Sequence, residues 1–264
     1  MKHTFALCAY RESAYLEECI LSLRRQTIPS RVVVCTSTPN DWIFSVAERY
    51  NLPVFVNEEA SGIASDWNFA FRSVETDFVT LAHQDDVYEP GYLAGMLDAM
   101  ERSRQPVIGF SDYYELRNGS RVYASRSRLL RIKELMLIPL RGPAGRGSIP
   151  VRRCILSIGN AICCPSVTYN RAVIGEAPFR SEFTCDLDWD AWERLSKLEG
   201  DFCYVPLLLM GHRIHADSAT TAMIGDSHGR SCEDLEMYRR FWPRPVAAFL
   251  NSLYAGAQNS NTVQ

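Results

Sequence analysis

The sequence predicts an α/β protein with a mostly parallel central sheet flanked by helices. Short apolar runs of strand length alternate along the chain with segments in which apolar residues recur at helical spacing. Strands that are apolar throughout are buried on both faces, which is typical of parallel sheets joined by right-handed helical crossovers. With 264 residues the chain can bury a substantial core within one domain.

The alternation is clearest in the first part of the chain. Strands are predicted at residues 5–9, 32–35, 52–56 and 78–82, and helices between them at 13–25, 41–50 and 61–71. In the first of these helices Leu16, Ile20 and Leu23 fall on one face, because residues three or four positions apart are neighbours on a helix. This order of elements indicates consecutive βαβ units.

The second part of the chain is less regular. A helix is predicted at residues 92–102, strands at 107–110 and 166–169, and an amphipathic helix that begins near residue 188. An apolar run at 202–210 leads into a segment dense in polar side chains, His212 to Ser218. Residues 241–264 are predicted to form a C-terminal tail that ends in disorder, because its last residues are mostly polar.

Composition indicates an ordinary soluble protein. Apolar residues make up 47% of the chain, charged residues 22%, and the net charge is −3, so nothing points to a nucleic-acid partner. No apolar run approaches the length of a membrane span, and the N-terminus lacks the pattern of a signal peptide. The nine cysteines form no CxxC pair, which favours reduced thiols and a cytoplasmic location.

Two neighbouring carboxylates end the predicted strand at 78–82. His83 and Gln84 are followed by Asp85 and Asp86, and the chain is then broken at Glu89-Pro90-Gly91. Ligands of open α/β sheets bind at the carboxyl ends of the strands. A hard divalent cation that carries substrate phosphates suits such a pair, since it takes one or two protein carboxylates. The alternative is a helix N-cap beside a solvated aspartate.

Several separated motifs occur in one order. They are Cys8-Ala9-Tyr10, the helix from Tyr15 to Thr27, Gly62 to Ala70 with its Asn68, Gln84-Asp85-Asp86, Leu187 to Leu195, and His212 to Thr220. In this order the chain resembles the family 2 glycosyltransferases, inverting enzymes with the GT-A fold, over residues 4–221. Each motif alone is weakly specific, whereas their common order is specific.

The resemblance implies roles for particular residues. Asp188 is expected to be the catalytic base, and Asp86 and His215 to ligate Mg²⁺ or Mn²⁺. Donor contacts are expected from Tyr10, Glu12, Thr36, Asn68 and Asp85, the last touching ribose or a metal-bound water. Three of these residues have plain alternatives. Asp188 could be an N-cap or a first-turn acid favoured by the helix dipole, His215 could be a structural imidazole, and Tyr10 could simply pack.

The chain departs from the family pattern at two places. Family members usually carry an acidic pair after the second strand, where this chain has residues 35–40 without a carboxylate. Leu187 replaces the glutamate that usually precedes the catalytic aspartate. Because the hydroxyls of Thr36 and Ser37 both donate and accept, we expect weaker base selectivity than in a strict uridine enzyme, with UDP-sugars the first donors to test.

The resemblance therefore predicts an inverting, metal-assisted transfer from a nucleotide-sugar to a glycan or lipid-linked acceptor, as in surface polysaccharide synthesis. It implies one GT-A domain over residues 1–240, with a donor half at 1–112 and an acceptor half at 113–240. The alternatives are a nucleotidyltransferase and a non-catalytic nucleotide-sugar or glycan-binding protein of the same fold. A nucleotidyltransferase usually has a glycine-rich basic loop near its first strand, which Ala9-Tyr10-Arg11-Glu12 is not.

Residues 117–153 form a basic segment. They include ten Lys or Arg and one Glu, a local charge of +9. Leu129, Ile132 and Met136 would share one face of a short helix there, which is the composition of an interfacial helix. The segment predicts peripheral contact with the inner face of a membrane or with an anionic lipid-linked acceptor. A loop for a soluble acceptor or a subunit interface is the alternative.

Overall fold

The computed structural model describes residues 2–59, 62–175, 177–215 and 227–259. Its strands are β1 (His3–Ala9), β2 (Arg31–Thr36), β3 (Val54–Val56), β4 (Phe78–His83), β5 (Val87–Tyr88), β6 (Pro106–Arg117), β7 (Ser120–Val122), β8 (Val167–Asn170) and β9 (Asp201–Ile214). Its helices are α1 (Leu16–Arg24), α2 (Asp41–Arg49), α3 (Ile63–Arg72), α4 (Tyr92–Glu101), α5 (Arg128–Leu137), α6 (Pro143–Arg146), α7 (Ile149–Leu156), α8 (Arg171–Ile174), α9 (Leu187–Leu195), α10 (Ser227–Arg239) and α11 (Arg244–Asn259).

The strands form one mixed sheet in the order β3-β2-β1-β4-β8-β6-β9-β5, and β7 pairs with β6. The predicted parallel arrangement is confirmed for β1 to β4, which pair in parallel. In the second part of the chain β8 runs antiparallel between β4 and β6, and β5 runs antiparallel to β9. A strand buried on both faces has the same apolar pattern in either direction, so the sequence pattern does not reveal this reversal.

Two apolar cores lie on the opposite faces of the sheet. Successive side chains of β1 alternate between them, with Ala6 in one core and Phe5 and Leu7 in the other. The predicted face of α1 is confirmed, since Leu16, Ile20 and Leu23 are all buried. The sheet thereby fixes the carboxyl ends of β1, β2 and β4 next to one another.

The first part of the predicted C-terminal tail is helical. Residues 244–259 form α11, whose Ala247 is fully buried. The ring of Tyr254 lies 5.7 Å from that of Trp189 in α9 and 5.9 Å from that of Tyr238 in α10, measured between centroids. Ala247, Leu250 and Tyr254 follow helical spacing, a signal hidden among small polar residues. Residues 260–264 of the predicted tail lie outside the described residues.

The basic segment folds into β7, α5, α6 and α7. Only part of its charge is on the surface, because Arg146 pairs with Asp201, Arg153 pairs with Glu193, and the buried Arg152 donates to the carbonyls of Leu198 and Gly200. The exposed charges of the segment are those of Arg121, Arg126, Arg128, Arg131 and Arg141.

The predicted short helix of this segment is confirmed as α5, but the apolar face it exposes differs from the expected one. The strongly exposed residues are Ile132 and Leu135 of α5 and Ile138, which directly follows it, with exposed fractions of 41%, 57% and 45%. Met136 packs against the core instead. No helix within residues 2–59, 62–175, 177–215 and 227–259 is long and apolar enough to cross a membrane.

Candidate active site

A cavity of about 560 Å³ opens at the carboxyl ends of β1 and β4. Its wall combines these strand ends with α3, the turn before β8, the N-terminus of α9 and the end of β9. Side chains from α5, α10 and α11 complete it: Lys133, Arg230 and Tyr254. Elements far apart in sequence therefore meet at the edge where parallel sheets bind ligands.

Asp85 and His215 form a pair on this wall. Oδ2 of Asp85 lies 3.1 Å from Nε2 of His215, and both residues line the cavity. Burial raises the pKa of Asp85, but the hydrogen bond from His215 and the charges of His83 and His212 outweigh it and hold the pKa below its ordinary value. An ionised carboxylate beside an imidazole is a suitable pair of ligands for a divalent cation.

Asp86 lies beside this pair but does not line the cavity. Its side chain is fully buried, and its Oδ1 accepts from the backbone N–H of Arg213 at 2.8 Å and lies 3.1 Å from Nδ1 of His212. Arg213 also donates from Nε to the carbonyl of Asp85 at 2.8 Å. Asp86 therefore ties β9, and with it His215, to the turn after β4. The structure places Asp85, rather than the expected metal ligand Asp86, against the cavity.

Two further histidines, His83 and His212, also line the cavity. The ring of His83 stacks on Trp67 with 4.7 Å between centroids. Burial lowers the pKa of His83, whereas the Asp86 carboxylate overcomes burial and raises the pKa of His212.

Asp188 lies in the first turn of α9 and faces the same cavity. Its Oδ2 accepts from Nδ2 of Asn160 at 2.8 Å, and its Oδ1 accepts from the backbone N–H of Trp189 at 2.8 Å. Burial raises the pKa of Asp188 despite both hydrogen bonds. Asp188 is not the N-cap residue of α9 but one of the acids of its first turn, where the helix dipole also favours a carboxylate. A partly buried carboxylate with a raised pKa has the properties of a general base.

The residues expected to contact the donor separate into two groups. Tyr10 lines the cavity and is 44% exposed, with its backbone held by the side-chain amide of Gln84. Glu12 is exposed and does not line it. Thr36 is buried and accepts from the N–H of Thr38, while Asn68 is buried and bonds both backbone groups of Phe179. Of the residues expected in the site, the structure brings Tyr10, Asp85, Asp188 and His215 together and places Glu12, Thr36, Asn68 and Asp86 outside the wall.

Sequence reasoning did not select Asp66, which also lines the cavity. Its Oδ2 accepts from Oγ of Ser37 at 2.8 Å, and its Oδ1 accepts from Nδ2 of Asn57 at 2.9 Å. A carboxylate thus stands beside the segment after β2 that lacks one of its own. An acidic residue in the first turn of α3 was visible in the sequence, but its approach to Ser37 depends on how α3 packs on the sheet.

The loop before Asp188 is held by α10. The carboxylate of Glu233 accepts from three consecutive backbone N–H groups, those of Thr184 at 2.9 Å, Cys185 at 2.7 Å and Asp186 at 3.0 Å. Sequence reasoning missed this residue, because nothing in the local sequence distinguishes Glu233 from the other acidic residues of α10.

Residues 4–160 match the sequence model described as Glycosyl transferase family 2, which is more than half of the 264-residue chain. The chain belongs to this family. It is a glycosyltransferase, as the ordered motifs predicted, and the family match excludes the nucleotidyltransferase alternative. No curated protein matches the sequence closely enough to serve as a relative.

Solved structures of glycosyltransferases share the fold. TarS from S. aureus in complex with UDP-GlcNAc gives a TM-score of 0.63 at 17% identity, covering 99% of this chain and 73% of that one. Mannosyltransferase PcManGT from Pyrobaculum calidifontis, with GDP-Man and Mn²⁺, gives 0.62 at 16% identity, covering 97% and 69%. Glucosyl-3-phosphoglycerate synthase from Mycobacterium tuberculosis, with Mn²⁺, UDP and phosphoglyceric acid, gives 0.59 at 17% identity, covering 92% and 79%. These likenesses confirm the GT-A fold of this family 2 glycosyltransferase.

Proposed function

We propose that this glycosyltransferase moves a sugar from a nucleotide-sugar to a hydroxyl of a glycan or lipid-linked acceptor, with inversion, in surface polysaccharide synthesis. The observation that carries the proposal is the convergence of the Asp85–His215 pair and the carboxylate of Asp188 on one cavity. The first supplies ligands for a diphosphate-bound cation and the second supplies a base. These are the two requirements of metal-assisted inverting transfer.

Asp85 and His215 would hold the cation, Mg²⁺ or Mn²⁺, and Asp86 would position them. Among the residues described, no group of three or more acidic, His or Cys side chains could hold a metal ion. A two-ligand site still fits, because Mg²⁺ is commonly bound by one or two carboxylates with phosphate oxygens and water. A bound cation would stabilise the charge of the departing diphosphate. PcManGT and the synthase have Mn²⁺ in their structures, which supports this reading.

Asp188 would accept the proton of the acceptor hydroxyl. The oxygen then forms a bond to the anomeric carbon as the bond from that carbon to the diphosphate breaks, and the electron pair leaves with the diphosphate. Attack from the face opposite the leaving group inverts the configuration. The raised pKa of Asp188 makes it a stronger base than an ordinary aspartate.

Tyr10 and Asp66 would contact the nucleobase. Tyr10 offers an exposed ring for stacking, and Asp66 offers a carboxylate that only accepts hydrogen bonds. A carboxylate suits the N3–H of uracil and the N1–H and amino group of guanine. We keep a UDP-sugar as the first donor to test, and TarS with UDP-GlcNAc supports that order. PcManGT with GDP-Man makes a GDP-sugar the second.

A thermal-shift screen of nucleoside diphosphates and nucleotide-sugars, with and without Mn²⁺, tests the proposal. Ligand binding to the folded state raises the midpoint by mass action. We expect a Mn²⁺-dependent shift that Asp85→Asn abolishes and that Asp86→Asn, its matched neighbour, retains. Loss of the shift in Asp86→Asn alone would restore Asp86 as the metal ligand. The absence of any nucleotide shift in the unmodified protein would contradict the proposed donor class.

A further inference from the structure

Two basic side chains line the cavity without an ion pair. Lys133 projects from α5 and Arg230 from α10, and both belong to the cavity wall. Neither pairs with a carboxylate in the part of the chain that the structure describes, whereas Arg153 and Arg240 pair with Glu193 and Asp190. Cations beside a substrate cavity that the protein leaves unpaired are available to an anionic ligand.

Both side chains have donors without a partner among the described residues. Nζ of Lys133 donates to the hydroxyl of Tyr113 at 3.0 Å, which uses one of the three donors of an ammonium group. Burial raises the pKa of Tyr113, so this partner is a neutral phenol that leaves the lysine charge uncompensated. Nε of Arg230 is buried and has no hydrogen-bond partner among the atoms described.

The two cations act on the acceptor side of the cavity. Both favour the ionised form of Asp188, the expected base. Arg230 also lies on α10, the helix whose Glu233 accepts from the three backbone N–H groups shortly before Asp188. Lys133 and Arg230 are therefore associated with the place where the acceptor hydroxyl is deprotonated, rather than with the site of the donor diphosphate.

Three acidic side chains lie near Arg230, namely Glu233 on the same helix, Asp186 and Asp234. Asp186 and Asp234 are buried next to each other, and burial together with the Asp234 charge raises the pKa of Asp186 well above its ordinary value. Two carboxyls that disfavour each other's ionisation carry less than two charges. The negative charge near Arg230 is therefore smaller than the number of these carboxyls suggests.

We propose that Lys133 and Arg230 form an acceptor subsite for a phosphate or carboxylate group carried close to the hydroxyl that is glycosylated. The inference rests on the proposed function and narrows its acceptor to an anionic one. A soluble phosphomonoester and a lipid-linked phosphate share this chemistry, and the experiment separates them. It also assigns one residue of the basic segment, Lys133 of α5, a role in acceptor binding.

Calorimetric titration tests the subsite with glycerol 3-phosphate as the probe and glycerol as its uncharged counterpart, each with and without saturating UDP and Mn²⁺. Lys133→Met and Arg230→Met should each weaken binding of the phosphate about tenfold or more, the usual value of a hydrogen bond to a charged group. Arg131→Met removes an exposed charge from the same helix and should change binding by less than about twofold. If a methionine variant is destabilised, as shown by a lower thermal midpoint, the corresponding variant Lys133→Gln or Arg230→Gln is measured in its place.

Further measurements distinguish a soluble phosphate from a lipid-linked one, and failure of the subsite from failure of the proposed function. Phosphatidylcholine vesicles with and without a polyprenyl phosphate reveal a preference for a lipid-linked phosphate over glycerol 3-phosphate. If UDP and Mn²⁺ bind but neither phosphate binds better than its uncharged counterpart, the subsite is wrong and the proposed function survives. If the variants weaken UDP binding as much as phosphate binding, the two side chains serve the donor and the subsite is equally overturned. Failure of UDP itself to bind contradicts the proposed function instead.

Discussion

Asp85 and Asp86 are identical neighbours with different surroundings. Asp85 faces the cavity and pairs with His215, whereas Asp86 is buried beneath it and accepts from the backbone of β9. A buried carboxylate left unpaired is costly, so the contacts to Arg213 and His212 are what make Asp86 tolerable there. Its contribution is to hold the end of β9, and therefore His215, against the turn that carries Asp85.

Asp188→Asn should separate donor binding from turnover. The amide keeps the size of the side chain but cannot accept a proton from the acceptor. We expect the Mn²⁺-dependent nucleotide shift to remain and turnover to fall by about 10²-fold or more, the usual scale of general-base catalysis. Normal turnover at saturating donor, together with weaker donor binding, would assign Asp188 to binding instead.

Asn160→Ala should move the acid limb of the pH profile upward. Asn160 donates to the ionised carboxylate of Asp188 and thereby lowers its pKa, against the larger effect of burial. Removing the donor raises that pKa further, so the ionised base appears only at higher pH. The readout is kcat as a function of pH at saturating donor. A uniform loss of rate with an unmoved limb would show that Asn160 only supports the fold.

Helix α10 holds residues 184–186, the loop before α9, in place. The carboxylate of Glu233 accepts hydrogen bonds from three consecutive backbone N–H groups immediately before α9. Arg230 of the same helix lines the cavity. Charge-assisted hydrogen bonds to a carboxylate are stronger than neutral ones, so this contact fixes the approach to Asp188. Glu233 is therefore a positioning residue that acts through the loop.

Glu233→Ala should lower kcat while leaving the Mn²⁺-dependent binding of nucleotide nearly unchanged, because the loop carries Asp188 but not Asp85. Glu233→Gln keeps an accepting oxygen and should recover part of the rate. Glu236→Ala is the control, since Glu236 lies on the same helix and pairs only with Arg239 among its described contacts. Equal effects of both alanine variants, or a parallel loss of nucleotide binding, would contradict a positioning role.

The surface of α5 supports the peripheral membrane contact that the basic segment predicts, and this remains a proposal. Ile132, Leu135 and Ile138 are exposed, and the same basic segment, residues 117–153, exposes five arginines. Each basic group near an anionic surface contributes about 1 kcal/mol, an attraction that salt screens.

Sedimentation with anionic and neutral liposomes across a salt series measures this contact. We expect binding to anionic liposomes at low salt that decreases as salt rises. Leu135→Asp should weaken it, whereas Leu207→Asp, at a residue equally exposed on β9, should not. Negligible binding to both liposomes at low salt would leave α5 as a contact for substrate or protein.

At the scale of the whole molecule, buried neutral histidines link stability to pH. His3 joins β1 to β4, with Nδ1 2.8 Å from Oγ of Ser30 and Nε2 2.9 Å from Oγ1 of Thr80. Burial lowers the pKa of His3 to about 3. Since the unfolded chain binds the proton near the ordinary value of 6.5, the stability from neutral His3 is present above that pH and is lost as pH falls toward 3.

Urea unfolding of the protein and of His3→Gln between pH 6.5 and 4.5 measures this linkage. The free energy of unfolding should fall more steeply in the unmodified protein, with the difference in slope approaching about 1.4 kcal/mol per pH unit. The slope is the readout, because the substitution also changes stability at every pH. His212 does not interfere, since its raised pKa makes its contribution change only above the ordinary value. Parallel slopes would show that His3 is protonated in the folded protein.

Local patterns in the sequence determined the β1–β4 units, the buried face of α1, the paired acids after β4 and the acidic start of α9. Each of these depends on residues a few positions apart, where strand and helix periodicity act. The ordered motifs also determined the family, and four of the expected site residues do line the cavity. The sequence did not indicate α11, because burial of Ala247 and the packing of Tyr254 on Trp189 stabilise a helix whose local signal is weak.

Only the tertiary structure decided which of two adjacent aspartates faces the cavity, that Asn68 bonds the backbone of Phe179, and that Asp66 stands beside Ser37. It also decided that β8 inserts antiparallel into the sheet and that Glu233 binds the loop before α9. Asp85 and His215 are 130 positions apart, and Asp86 and Arg213 are 127 apart. Contacts of that separation depend on how whole elements pack, and no periodicity within one element encodes them.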